Sequence, residues 1–134
     1  MFLRRSPAPR LETDAQGTRV IGARNAVFAL APGGRLHEQR DAAWEGLEAI
    51  PGVSCHKPAG ALYAFPRLDP EVYEIHNDEL FVQDLLLQEK ILVVQGTGFN
   101  WPTPDHLRIV TLPWARDLAA AIERLGNFLV SYRQ

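Results

Sequence analysis

Proline and glycine cut this chain into short pieces, and the pieces limit what it can build. Pro32-Gly33-Gly34, Pro51-Gly52, Pro58-Ala59-Gly60, the loop from Gly96 to Asp105 with Pro102 and Pro104, and Pro113 each interrupt regular structure. Between them fit helices of a few turns and strands of a few residues. No apolar run is long enough to span a bilayer. The 134 residues are the size of one ordinary domain. Hydrophobic residues make up 46% and charged residues 22%, which excludes wholesale disorder and allows a modest core.

From Arg35 to Ile50, Leu36, Ala43, Trp44, Leu47 and Ile50 recur at helical spacing, and Pro51-Gly52 stops the run. Val53 to His56 and Ala61 to Phe65 read as two short strands around a turn, a small antiparallel meander. Arg67 to Ile75 reads as an irregular connection. Asn77 is placed to cap a helix whose first turn holds Asp78 and Glu79. That helix runs to about Lys90 and is expected to bury Phe81, Val82, Leu85 and Leu86. Ile91 to Val94 reads as a buried strand, Gly96 to Asp105 as a loop and His106 to Leu112 as a strand. A last helix, from about Arg116 to Tyr132, lines up Leu118, Ala121, Ile122, Leu125, Phe128, Leu129 and Tyr132 on one face. The order α-β-β-α-β-β-α predicts an α/β two-layer sandwich, a sheet with helices on one face.

Residues 1–31 stand apart. They carry a balance of +3, residues 32–134 a balance of -5, and the whole chain -2. The first stretch reads as a leader or arm without assignable structure, and residues 32–134 as the folded domain. Met1-Phe2-Leu3 is too short for the apolar core of a secretory signal. There is no overall basic field for nucleic acid. One cysteine, Cys55, excludes an intrachain disulfide framework and a multi-cysteine metal site. The expected setting is the cytoplasm, with no membrane and no nucleic acid as partner.

Little of the chain suits chemistry of its own. There is no Gly-x-Ser-x-Gly elbow. Cys55 and His56 are strand neighbours that point to opposite faces, so Cys55 reads as a buried structural thiol. His37, His56, His76 and His106 show no paired spacing for a metal. Gly96-Thr97-Gly98 lacks the third glycine of a dinucleotide fingerprint, and prolines follow where a helix should begin. The lysines are Lys57 and Lys90. Arg108 stands out, inside the apolar run Leu107-Arg108-Ile109-Val110. Alternation suits either a solvent-facing position or a fixed bidentate fork for a carboxylate or phosphate. The aromatic, glycine-bearing loop Gly98-Phe99-Asn100-Trp101-Pro102 beside it favours a pocket.

Pro32-Gly33-Gly34-Arg35-Leu36-His37-Glu38-Gln39-Arg40-Asp41, Pro51-Gly52-Val53-Ser54-Cys55 and Lys57-Pro58-Ala59-Gly60-Ala61-Leu62-Tyr63-Ala64-Phe65-Pro66 resemble the C-terminal part of class I/II aminotransferases. Leu85 to Lys90, Val94-Gln95-Gly96-Thr97-Gly98-Phe99-Asn100-Trp101-Pro102 and His106 to Pro113 narrow the resemblance to the bacterial alanine-synthesising transaminases, of the pyridoxal-phosphate fold-type I group. The match runs in unbroken order from about residue 30 to the end. The resemblance implies amino-group transfer from an amino acid to a 2-oxo acid, with pyridoxal phosphate as the electron sink. It implies an arginine that grips the substrate α-carboxylate, and Arg108 falls on that arginine's motif. Such a clamp fixes how the α-carbon is presented. It places Gly60 and Tyr63 on the substrate-side strand, and Asn100 and Trp101 on the loop before Arg108, as pocket-lining positions. It assigns this chain no catalytic and no cofactor-binding residue.

In the family, the large domain supplies the lysine that anchors the cofactor, the aspartate facing the pyridine nitrogen, a tyrosine and the phosphate cup. None of those motifs occurs here. The expectation is a C-terminal fragment of an aminotransferase acting between an L-amino acid, alanine, and a 2-oxo acid such as 2-oxoglutarate. It would be a truncated gene product or half of a split enzyme, inactive alone and not holding pyridoxal phosphate. Its partner would be a missing large domain or a full-length aminotransferase chain. Two rival readings are a free-standing carboxylate-binding module and an interaction protein that docks through its apolar face.

Overall fold

The computed structural model describes residues 11–13, 19–21 and 32–134. Before residue 32, Leu11–Thr13 (β1) and Arg19–Ile21 (β2) pair antiparallel, with Glu12 opposite Val20. These positions therefore have structure that composition did not suggest. The remainder of the expected leader lies outside the described residues.

Three α-helices among the described residues follow the sequence pattern closely. Helix α1 spans Arg35–Glu48, α2 Asp78–Glu89 and α3 Ala115–Ser131. Asn77 caps α2 as its chemistry demands: its side-chain oxygen accepts the Leu80 N–H at 3.0 Å. After α1, Gly52 turns the chain with φ 79, and an added Cβ would stand 2.8 Å from Val72 Cγ1. Glycine is demanded there by conformation and by space. Leu118, Ile122, Leu125, Phe128 and Leu129 of α3 share one core with Ala43 and Leu47 of α1 and Phe81, Val82 and Leu85 of α2. Phe81 meets Phe128 edge-on, with ring centroids 5.8 Å apart. Leu86, expected inside, is exposed, because it lies at the edge of the α2 stripe.

The strands are short: β3 Val53–Ser54, β4 Tyr63–Ala64, β5 Arg67–Leu68, β6 Val94–Gln95 and β7 Leu107–Val110. The expected β3–β4 meander is not formed. Strand β3 pairs with β5, and β4 pairs with β7, with Ala64 opposite Ile109. Pro58 has no N–H to offer a ladder between the two segments, and each strand finds its partner elsewhere. Strand β6 starts at Val94 rather than Ile91, after α2 has ended at left-handed Lys90. Strand β5 and a 3-10 turn at Gly96–Phe99 depart from the expected element order, since both lie in segments read as irregular.

Strand β7 is central to its sheet, between β4 and β6. Leu107, Ile109 and Ala64 are buried on one face. Arg108 is half-buried on the other, beside exposed Tyr63 and Val110. Among the described residues no helix is long and apolar enough to cross a membrane.

Candidate substrate-carboxylate site

Strand alternation turns Arg108 onto the open sheet face, and two rings hold it there. Its guanidinium carbon lies 4.3 Å from the Tyr63 ring centre and 4.2 Å from that of Phe99. Cation–π contacts of this kind are worth about 0.5–2 kcal/mol each. The Arg108 Nε is buried and has no hydrogen-bond partner among the described residues. A buried, oriented, unpartnered guanidinium donor suits an anion better than it suits a structural ion pair.

Phe99 owes its place to residues distant in sequence. Asp78, in the first turn of α2, is buried, and its carboxylate accepts the Thr97 N–H at 3.0 Å and the Thr97 hydroxyl at 2.7 Å. The Gly96 N–H donates to His106 O at 2.8 Å. A Cβ on Gly96 would stand 2.9 Å from that oxygen, so the turn fits against β7 only with glycine there. Sequence reasoning gave Asp78 a helix-end role and did not select Phe99. The only available signal was the aromatic within the glycine-bearing loop.

The pocket-lining expectations divide. Tyr63 packs on Arg108. Trp101 turns instead to Phe65 and His106, with ring centroids at 5.4 and 4.3 Å, and its indole N–H donates to Asp105 at 3.1 Å. Asn100 ends the 3-10 turn in a left-handed conformation, φ 61. Gly60 is exposed, with open space where a side chain would begin.

Asp105 organises the neighbouring cluster. It accepts from Trp101, from Thr103 Oγ1 at 2.6 Å and from Arg67 Nε at 3.2 Å, and lies 2.8 Å from His106 Nδ1. Burial by itself would raise the Asp105 carboxyl. The hydrogen bonds from Thr103, His106 and Trp101 outweigh it and hold the group well below the ordinary carboxylate range. Cys55 is buried as expected, and burial pushes its thiol up, which keeps it protonated and unreactive. Among the described residues no group of three or more histidine, cysteine or acidic side chains could hold a metal.

The model of the aminotransferase class I and II family matches residues 33–125. This chain belongs to that family. It is 82% identical over 103 residues to the alanine aminotransferase of Mycobacterium tuberculosis, covering 77% of this chain and 24% of that protein. It is 56% identical over 105 residues to the glutamate-pyruvate aminotransferase of Escherichia coli, covering 78% of this chain and 26% of the relative. The crystal structure of an aminotransferase from Escherichia coli superposes with a TM-score of 0.78 at 55% identity, over 80% of this chain and 26% of that one. An alanine aminotransferase from Pyrococcus furiosus superposes with a TM-score of 0.67 at 39% identity, over 73% of this chain and 24% of that one. The chain thus spans about a quarter of the length of the relatives it matches.

Full-length aminotransferases of this family depend on pyridoxal phosphate, which a lysine holds. Lys57 Nζ instead pairs with Asp41 at 3.1 Å and lies over the Trp44 ring at 4.4 Å. Lys90 Nζ donates to Leu87 O at 2.6 Å, at the end of α2. Both ε-amino groups are thus engaged within this chain, an arrangement that does not suit an anchor for that group.

Proposed function

We propose that this chain is the substrate-gripping C-terminal part of a pyridoxal-phosphate-dependent aminotransferase. The reaction moves an amino group between an L-amino acid, alanine, and a 2-oxo acid such as 2-oxoglutarate. Arg108 clamps the substrate α-carboxylate through two parallel N–H donors. Tyr63 braces it, and Gly60, Asn100 and Trp101 line the approach. Helices behind small antiparallel sheets form the two layers of this domain, residues 32–134, and the protein works in the cytoplasm. The cofactor and its lysine come from a large domain outside this sequence, so the chain alone neither holds pyridoxal phosphate nor transaminates.

The observation that carries this reading is the Arg108 guanidinium, held between Tyr63 and Phe99 on an open face with its Nε unpartnered. Planar, bidentate recognition of a carboxylate is what that geometry supports. The test is a borohydride trap. The purified chain is mixed with pyridoxal phosphate, reduced, and mapped by mass spectrometry. Absent or scattered labelling is expected. Stoichiometric labelling at Lys57 or Lys90 overturns the division of labour and makes the chain a self-contained enzyme.

A second reading, an interaction module that docks on a full-length aminotransferase, draws on exposed Val110, Leu112 and Trp114 near the same face. Sedimentation of the chain with a full-length enzyme separates the two: no complex counts against docking.

A further inference from the structure

We infer that Gln134, just past the end of α3, is a positioning residue for the carboxylate grip. It fixes the start of α2 and, through Asp78 and Phe99, the setting of Arg108. This rests on the α-carboxylate role proposed for Arg108 and adds what holds that arginine's support in place.

Helix α2 has no local partner for its cap N–H. Asn77 spends its own side chain on the Leu80 N–H. In a capping box, a Glu or Gln at the third helical position returns a bond to the cap N–H. Leu80 stands at that position and cannot do so. Gln134 supplies the bond from 57 positions away. Its Oε1 accepts the Asn77 N–H at 2.8 Å and the His76 N–H at 2.7 Å. Its Nε2 donates to Asn77 O at 2.7 Å and to Tyr132 Oη at 3.0 Å. Two bonds accepted and two donated are the full capacity of one side-chain amide.

The tail that carries Gln134 is itself anchored. Helix α3 stops at Tyr132, whose backbone turns extended, φ -71 and ψ 133, and leads Gln134 across to α2. The Tyr132 ring meets Phe81 edge-on, centroids 5.1 Å apart, and its hydroxyl donates to Asp84 at 2.8 Å. Arg124, further back on α3, holds the other end of α2, its Nε 3.2 Å from the Glu89 carboxylate. Helix α3 thus ties α2 at three levels, and Gln134 is the tie at the end that carries Asp78.

Asp78 follows Asn77 directly, and its carboxylate holds the Thr97 N–H and hydroxyl. Thr97 lies in the 3-10 turn that presents Phe99 to Arg108, 4.2 Å from the guanidinium carbon. The Asn77 cap acts within α2 and does not fix where the helix sits. Gln134 joins α2 to α3, and so sets where the Asp78 carboxylate stands. The bonds from Thr97, at 3.0 and 2.7 Å, are lost once that carboxylate moves by roughly an ångström.

The test uses the full 134-residue chain and two NMR readouts. Without ligand, the Arg108 side-chain shifts report the stacked rings, and hydrogen exchange reports the Thr97 amide. With ligand, a butyrate titration is followed through Arg108. Gln134→Ala is expected to move the Arg108 signals toward those of Asp78→Ala and to speed exchange at Thr97. Butyrate affinity is expected to fall about threefold, the scale of one net hydrogen bond at an exposed site. Gln134→Glu keeps both accepted bonds and is expected to recover part of each change. Arg124→Gln loosens the far end of α2 and is expected to leave the Arg108 signals and butyrate affinity as in the parent. A merely structural Gln134 would make those two helix ties behave alike. Unchanged Arg108 signals and butyrate affinity in Gln134→Ala overturn the role of Gln134 and leave the α-carboxylate grip standing. Butyrate binding that survives Arg108→Gln, or no butyrate binding by the parent, overturns the grip. The ligand-free signals then decide the role of Gln134, and Arg108 and Thr97 signals unchanged in Gln134→Ala overturn it.

Discussion

Arg108 carries the argument at the scale of single residues, and the shape of its head group matters more than its charge. Tyr63 and Phe99 stack on a planar guanidinium. Arg108→Lys keeps the charge and loses both the stack and the fork, so monocarboxylate affinity is expected to fall about tenfold, measured by NMR titration. An arginine inside an apolar strand was visible in the sequence as an anomaly. Its choice between solvent and ligand was not, because the bracing rings arrive from β4 and from a turn on another element. Asp105 makes a prediction in pH. Its folded carboxyl lies below the unfolded value of about 3.9. The stability it contributes is therefore complete above that value and is lost as pH falls toward and through the folded one. Thermal melts between about pH 5 and pH 2 should show Asp105→Asn losing less stability on acidification than the parent chain.

Elements divide into those specified by local chemistry and those specified by partners. Helix α2 begins at Asn77 because that side chain caps it, and Asn77→Ala is expected to cost about 1 kcal/mol in denaturant melts. Carboxylate binding should not change, since the Asn77 side chain bonds Leu80 while Asp78 holds the 3-10 turn. Asp78→Ala, one residue later, differs. It leaves the Thr97 N–H and hydroxyl without their acceptor, at about 1–3 kcal/mol. It also releases the turn that sets Phe99, so the same titration should show weaker carboxylate binding. The helices and the cap were legible because helical periodicity is local. The pairing of β3 with β5 was not, since strands of two residues carry too little alternation to name their partners.

In the whole molecule, α3 joins the three helices in one core, and Leu125 lies at its centre with 2% exposure. Leu125→Ala is expected to cost about 2–5 kcal/mol, read from the shift in a chemical melt. Several features came from the sequence alone: the family, the three helices, the buried thiol at Cys55 and the odd position of Arg108. Each depends on spacing within one stretch of chain, or on motifs read in order. The tertiary structure decided the rest. It paired β4 with β7, put Phe99 over Arg108 through buried Asp78, and turned Trp101 to Phe65 and His106. It also tied Gln134 to the start of α2. Most of those relations join residues on different elements. Backbone hydrogen bonds and close packing select them from many pairings that short strands would equally allow.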